Sequence, residues 1–153
     1  MNAAHVHLLL NHFPLTTLLF GFIILIIAKL QRNESILRLA LGVLFVGGIV
    51  GTATYLTGEP AEHLLRELPN FQKELIHEHE EAGDFALIST IVTALVAAGG
   101  LYYSIKKNAV PKPYMIFIFV VNFWALTVVG RTNYLGGMIG HSEIRTEATA
   151  PTQ

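Results

Sequence analysis

Seven histidines stand in this 153-residue chain, His5, His7, His12, His63, His77, His79 and His141. Imidazole readily ligates transition metals and heme iron, and its ordinary titration lies near neutral pH. Carboxylates keep these histidines company, among them Glu59, Glu62, Glu67, Glu74, Glu78, Glu80, Glu81 and Asp84. Histidine with carboxylate suits zinc, iron, manganese or copper(II), whereas two histidines on different helices suit a b-type heme. With no cysteine, disulfides, thiolate metal sites, cysteine-ligated iron–sulfur clusters and c-type heme attachment are excluded. Any cofactor is held through nitrogen, oxygen or methionine sulfur.

The elements that must position these groups are four apolar runs, 8–30, 36–56, 85–105 and 114–138. Each is close to the ~20 residues a helix needs to cross ~30 Å of hydrocarbon. The composition is 52% hydrophobic and 14% charged, without the period-two alternation of a membrane barrel. The expected fold is therefore all-α, an integral membrane up-down-up-down four-helix bundle. One domain covers 1–145, and 146–153, a Thr/Ala/Pro tail, reads as disordered. No Lys or Arg precedes the first run and no small-residue cleavage pattern follows it, so it is expected to remain as a helix rather than leave as a signal peptide.

Charge orients the spans. Lys29, Arg32 and Arg38 in the first connection and Lys106, Lys107 and Lys112 in the third, with Glu34 their one acid, place both loops in the cytoplasm. Both termini and the long second connection then lie on the periplasmic or extracellular side of a bacterial inner membrane, and all seven histidines fall at that outer end. The lipid bilayer is the expected partner, with other membrane or respiratory-complex subunits open. A net charge of −1 without a basic, aromatic-interleaved patch gives no sign of a nucleic-acid partner.

In the second connection Pro60 marks a helix start, with Thr57 or Gly58 as cap. A short helix to about Glu67, a turn at Pro69 and Asn70, and an amphipathic segment from Phe71 running unbroken into the third span make a helical hairpin that caps the outer end. Helical spacing then sorts the histidines. Leu75, His79, Ala82 and Ala86 share a stripe, which turns His79 inward. His77 shares offsets with Lys73, Glu74, Glu81 and Asp84, so Glu74-x-x-His77, although spaced as in di-iron carboxylate helices, reads as solvated. His12 shares a stripe with Thr16 and Leu19 inside an apolar run, where an unpaired polar group is costly and faces protein or a water-filled cavity.

The second span contributes the line Gly48, Thr52, Tyr55, Glu59, Glu62, and the fourth the line Thr127, Arg131, Tyr134, Met138, His141. The expected metal ligands are His12, Glu59, Glu62, His79 and His141, oriented by Tyr134 or Arg131. The expected heme pair is His12 with His79. His5, His7, His63 and His77 read as solvated or supporting groups, with His7 in reserve. Gly42, Gly47, Gly48 and Gly51, and Gly130, Gly136, Gly137 and Gly140, suit close helix packing and equally a flat porphyrin.

His7-Leu-Leu-Leu-Asn-His12-Phe-Pro14 resembles the H-P-x-x-V-H-F-P opening of an uncharacterised family of bacterial four-helix membrane proteins. Tyr134-Leu-Gly-Gly-Met-Ile-Gly-His141 resembles its closing Gly-Gly…His element, and Thr57-Gly-Glu-Pro-Ala-Glu62 with His79-Glu80-Glu81-Ala82 resembles an acid-rich branch. Val6 stands where the family often has proline. Some members are fused to Rieske-type domains, so the resemblance implies a redox setting, and it implies His12, Glu59, Glu62, His79 and His141 as the functional positions.

Three classes of function follow: a His/carboxylate metal site at the outer end, within a redox or metal-handling complex; a heme b electron-transfer subunit; or a structural or assembly subunit without cofactor. An enzyme is the less supported reading, because no nucleophile motif, phosphate-binding glycine loop or complete zinc-protease signature is present.

Overall fold

A computed structural model describes residues 2–66 and 72–140, which are helical apart from short links. Helix α1 (Ala3–Leu10) is capped by Asn2, whose Oδ1 accepts from the His5 amide at 3.0 Å. A single residue, Asn11, separates it from α2 (His12–Gln31). Pro14 explains the interruption: it has no N–H for the Leu10 carbonyl four residues back, and its ring crowds that oxygen. Thr54 Oγ1, which donates to the Val50 carbonyl of its own helix at 2.9 Å, also lies 3.2 Å from the Leu10 carbonyl and shares its proton with it. Arg32 ends α2 in the left-handed conformation (φ 51°), and Asn33 opens α3 (Glu34–Leu56) by accepting from the Ser35 and Ile36 amides at 2.9 and 3.1 Å.

Helix α4 (Gly58–Leu65) follows Thr57 directly, and α5 (Lys73–Lys107) runs 35 residues without a break to a left-handed Asn108. Helix α6 (Lys112–Gly140) carries Pro113 in its first turn, where a missing N–H costs nothing. The four apolar runs thus fall on four helical stretches long and apolar enough to cross a membrane. The first run is corrected in one respect, being divided at Asn11. The expected turn at Pro69 and Asn70, the end of the short helix at Glu67, and the tail 146–153 lie outside the described residues.

Packing joins α2 to α3, α3 to α5, α5 to α6 and α6 back to α2, while α1 lies on α4. Leu18, Leu25, Leu41, Leu44 and Ile118 are fully buried between the long helices. Small residues set the α3/α5 spacing: a Cβ on Gly51 would stand 2.7 Å from Thr90 Oγ1, and one on Gly48 would collide with Ala94. Such contacts let the helix backbones approach closely and gain van der Waals attraction. The buried hydroxyls of Ser89, Thr90 and Thr93 bond carbonyls of their own helix at 2.8–2.9 Å, so they cost the interior little. The outer surface is apolar as well, with Leu30, Leu95, Val120 and Phe123 all exposed.

The start of α3 is fastened to the end of α5 by Arg38. Its guanidinium donates to Ser104 Oγ (3.0 Å), the Ser104 carbonyl (2.9 Å) and Asn108 Oδ1 (2.6 Å). The fully buried Ser104 hydroxyl donates in turn to Glu34 Oε2 at 3.0 Å. One planar cation thereby adds a second donor to the Ser104 carbonyl, which already accepts from the Asn108 amide at 3.0 Å, and ties two side chains at the end of α5 to α3.

Candidate functional site

At the other end, the finish of α3 and the starts of α1, α4 and α5 meet the last turns of α6. Two imidazoles face each other there from different helices. His7 on α1 and His79 on α5 have ring centroids 6.4 Å apart and planes at 86°. Both are half-buried and lie just outside the apolar runs. Gly136 makes room for one of them, because a Cβ at that position would stand 3.1 Å from His79 Cε1.

Their hydrogen bonds fix which nitrogen carries the proton. His79 Nδ1 lies 3.0 Å from the Thr132 carbonyl, which only accepts, so Nδ1 is the donor. His7 Nδ1 lies 2.9 Å from Thr57 Oγ1, and that hydroxyl already donates to the Thr54 carbonyl at 2.6 Å. Thr57 Oγ1 therefore accepts, and His7 Nδ1 donates too. In the neutral form each ring keeps its lone pair on Nε2. Burial lowers the pKa of both rings; the Thr54 carbonyl partly opposes it at His7, and at His79 the Thr132 carbonyl opposes it while His7 itself adds to the lowering. Neutral imidazoles whose Nδ1–H is held by an oxygen are the form in which histidine binds metals.

A second pair joins α4 to α5. The Glu62 side chain is only 11% exposed and accepts from Arg66 Nε at 2.8 Å, while a carboxyl–carboxylate hydrogen bond links it to Glu80. That bond lowers Glu62, with Arg66 assisting against burial, and raises Glu80, where burial and the Glu62 charge act in the same direction. The opposite directions are those of two neighbouring carboxyl groups that ionise in turn, Glu62 first. An open cavity of about 440 Å³ beside them is lined by Glu62, Arg66, Lys73, Ile76, His77 and Glu80.

The residues expected to form one metal site are not brought together. His12 is exposed, as are Thr16 and Leu19, so the stripe read as inward is the outward face of α2. His12 lies five residues beyond His7, about 140° around a helix, and one ring's inward position excludes the other's. The Glu59 side chain is 86% exposed, with His63 at 4.0 Å, and Glu62 is occupied by Arg66 and Glu80. Thr127, Arg131 and Tyr134 are exposed on α6, and neither Arg131 nor Tyr134 bonds His79. His141 lies outside the described residues. Among the described residues no three His, Asp or Glu side chains gather closely enough to enclose a metal ion. His77 faces solvent, 3.4 Å from Glu81.

Sequence reasoning held His7 only in reserve, gave Thr57 only a capping role, and placed neither Thr132 nor Glu80 in the site. A signal existed for the first: five residues set His7 about 140° around a helix from His12, so the two rings could not both face inward. Nothing local pointed to Thr132, whose carbonyl holds His79 and whose hydroxyl donates to the Ala82 carbonyl at 2.9 Å. No family model, curated protein or solved structure matches this chain.

Proposed function

We propose that this protein is an integral membrane four-helix bundle of up-down-up-down topology that binds a transition metal ion through His7 and His79 at its periplasmic end. It acts there within a redox or metal-handling membrane complex. The membrane reading is supported by four long apolar helices with an apolar outer surface. It is supported further by loop charges that set the basic connections on the opposite side from the histidines.

The observation that carries the metal reading is the matched state of the two rings. Each is half-buried, each donates its Nδ1–H to an oxygen, and each keeps its Nε2 lone pair. A centroid separation of 6.4 Å is within about 1 Å of what two imidazoles on one ion with ~2 Å metal–nitrogen bonds require. Nitrogen donors favour zinc, copper or iron, with manganese less favoured as carboxylates drop out of the set. Bound there, the ion supplies a Lewis-acidic or redox centre with open positions. The chain's own contribution is to hold two rings neutral and oriented.

Elemental analysis of gently purified protein tests this. The wild type and a His12→Ala variant are expected to carry metal, and His7→Ala and His79→Ala to lose it while circular dichroism stays unchanged. Metal retained in a folded His7→Ala, His79→Ala double variant overturns the assignment. A Soret band in the same preparation, lost in the same variants, would replace the metal ion with heme b.

A further inference from the structure

At the end opposite the histidines, the basic residues have different occupations. Arg38 is committed to Ser104 and Asn108, and Glu34 is committed to Ser104. Lys106 and Lys107, in the last turn of α5, form no ion pair among the described residues. With Tyr102 and Tyr103 they line an open groove of about 420 Å³. The four positions form two steps one helical turn apart, Tyr102 below Lys106 and Tyr103 below Lys107. The Tyr103 ring rests against Tyr114 at a centroid distance of 5.8 Å, and Tyr114 is itself anchored by a 2.9 Å bond from its hydroxyl to the Val96 carbonyl.

Exposed tyrosines at the edge of an apolar helix, with unpaired ammonium groups one turn further out, match the layers of a lipid headgroup region. Aromatic rings prefer the boundary, and lysine stems lie along apolar surface while their charges reach the phosphates. A helix C-terminus alone would account for a lysine there. It would not account for the paired tyrosines, one of them braced from α6.

We propose that this groove seats the headgroup of an anionic phospholipid, with Lys106 and Lys107 on its phosphate and Tyr102 and Tyr103 along its glycerol and upper acyl chains. The assignment rests on the membrane reading above, and charge complementarity selects the lipid: Glu34, the acid at this end, is already occupied, so the free lysines have no counter-charge within the described chain.

Protein reconstituted in vesicles of phosphatidylcholine, or of phosphatidylcholine and phosphatidylglycerol in equal parts, and released into native mass spectrometry tests the assignment. The wild type is expected to retain phosphatidylglycerol preferentially. Lys106→Gln with Lys107→Gln is expected to reduce that retention by about fivefold per lysine, and Lys29→Gln to leave it unchanged. Tyr102→Ala, which removes an exposed ring and no charge, is expected to reduce it as well. Equal retention of both lipids by floating protein, an equal loss in Lys29→Gln, or displacement of the lipid by inorganic phosphate overturns the groove assignment. Failure of the wild type to float with either vesicle overturns the membrane reading instead.

Discussion

Where α3 begins, one guanidinium reaches Ser104 and Asn108 through three hydrogen bonds. Where α3 finishes, His7 and His79 are each held by one side-chain hydrogen bond, and Glu62 and Glu80 stand as neighbouring carboxyl groups whose pKa values are driven apart. The cation at the first end never titrates in a protein, so that end is closed at every physiological pH. The groups at the second end change charge within reach of ordinary conditions. One end is built to hold, and the other to respond.

The largest expected effect comes from undoing the first end. Arg38→Ala removes three bonds from a charged donor and leaves the buried Ser104 hydroxyl and carbonyl with fewer partners, a loss of about 2–3 kcal/mol. Thermal unfolding in mild detergent reads this as a lower midpoint, and an unchanged midpoint would erase the contrast between the ends.

Acid should loosen the second end and spare the first. Burial lowers the pKa of His7 and His79, so their contribution is present above the ordinary imidazole value of about 6.5. It is lost as pH falls through the lowered folded values, since the unfolded chain then binds more protons. Amide hydrogen exchange, corrected for intrinsic rates, is expected to quicken in α1 on acidification while the amides around Ser104 stay protected. Equal quickening at both ends would contradict the division.

A smaller effect sharpens the roles of the two carboxyl groups. The raised pKa of Glu80 gives a contribution present below the ordinary glutamate value and lost as pH rises through the raised one. The lowered pKa of Glu62 gives a contribution present above the ordinary value and lost as pH falls through the lowered one. Helix α4 is therefore held best between the two. Glu80→Gln keeps a permanent donor toward Glu62 and is expected to abolish the alkaline loosening of α4 in hydrogen exchange; loosening that persists would mean that the ionisation of Glu80 does not cause it. Least of all, Tyr55→Phe removes an exposed 2.7 Å bond to Asp84 and should cost about 0.5 kcal/mol, at the edge of detection in the same unfolding assay.

The helices were legible because hydropathy over some twenty residues is a property of composition, and the runs 36–56, 85–105 and 114–138 sit within α3, α5 and α6. Pro60 and Thr57 likewise located α4, and the unbroken passage from the amphipathic segment into the third span is present in α5. Facing was harder to read. His12, Thr16 and Leu19 form a stripe whose polar members suggested the interior, yet threonine hydroxyls satisfy themselves on their own helix, as Thr16 does on the His12 carbonyl at 2.7 Å, and so carry no information about side. In a helix apolar all round, hydrophobic periodicity cannot choose a face. His79 could be oriented because its segment still mixes charged and small residues.

Pro14 has a mechanical consequence. It withholds an N–H from the Leu10 carbonyl and leaves that oxygen facing Thr54 on α3, so α1 is tied to its neighbours as well as to α2, and His7 bonds Thr57 between α3 and α4. Asn11 itself keeps a right-handed helical conformation (φ −60°, ψ −24°) and donates its N–H to the His7 carbonyl, so the helical turn carries through the link, and one residue inserted there would turn His7 by about 100° away from Thr57 and His79.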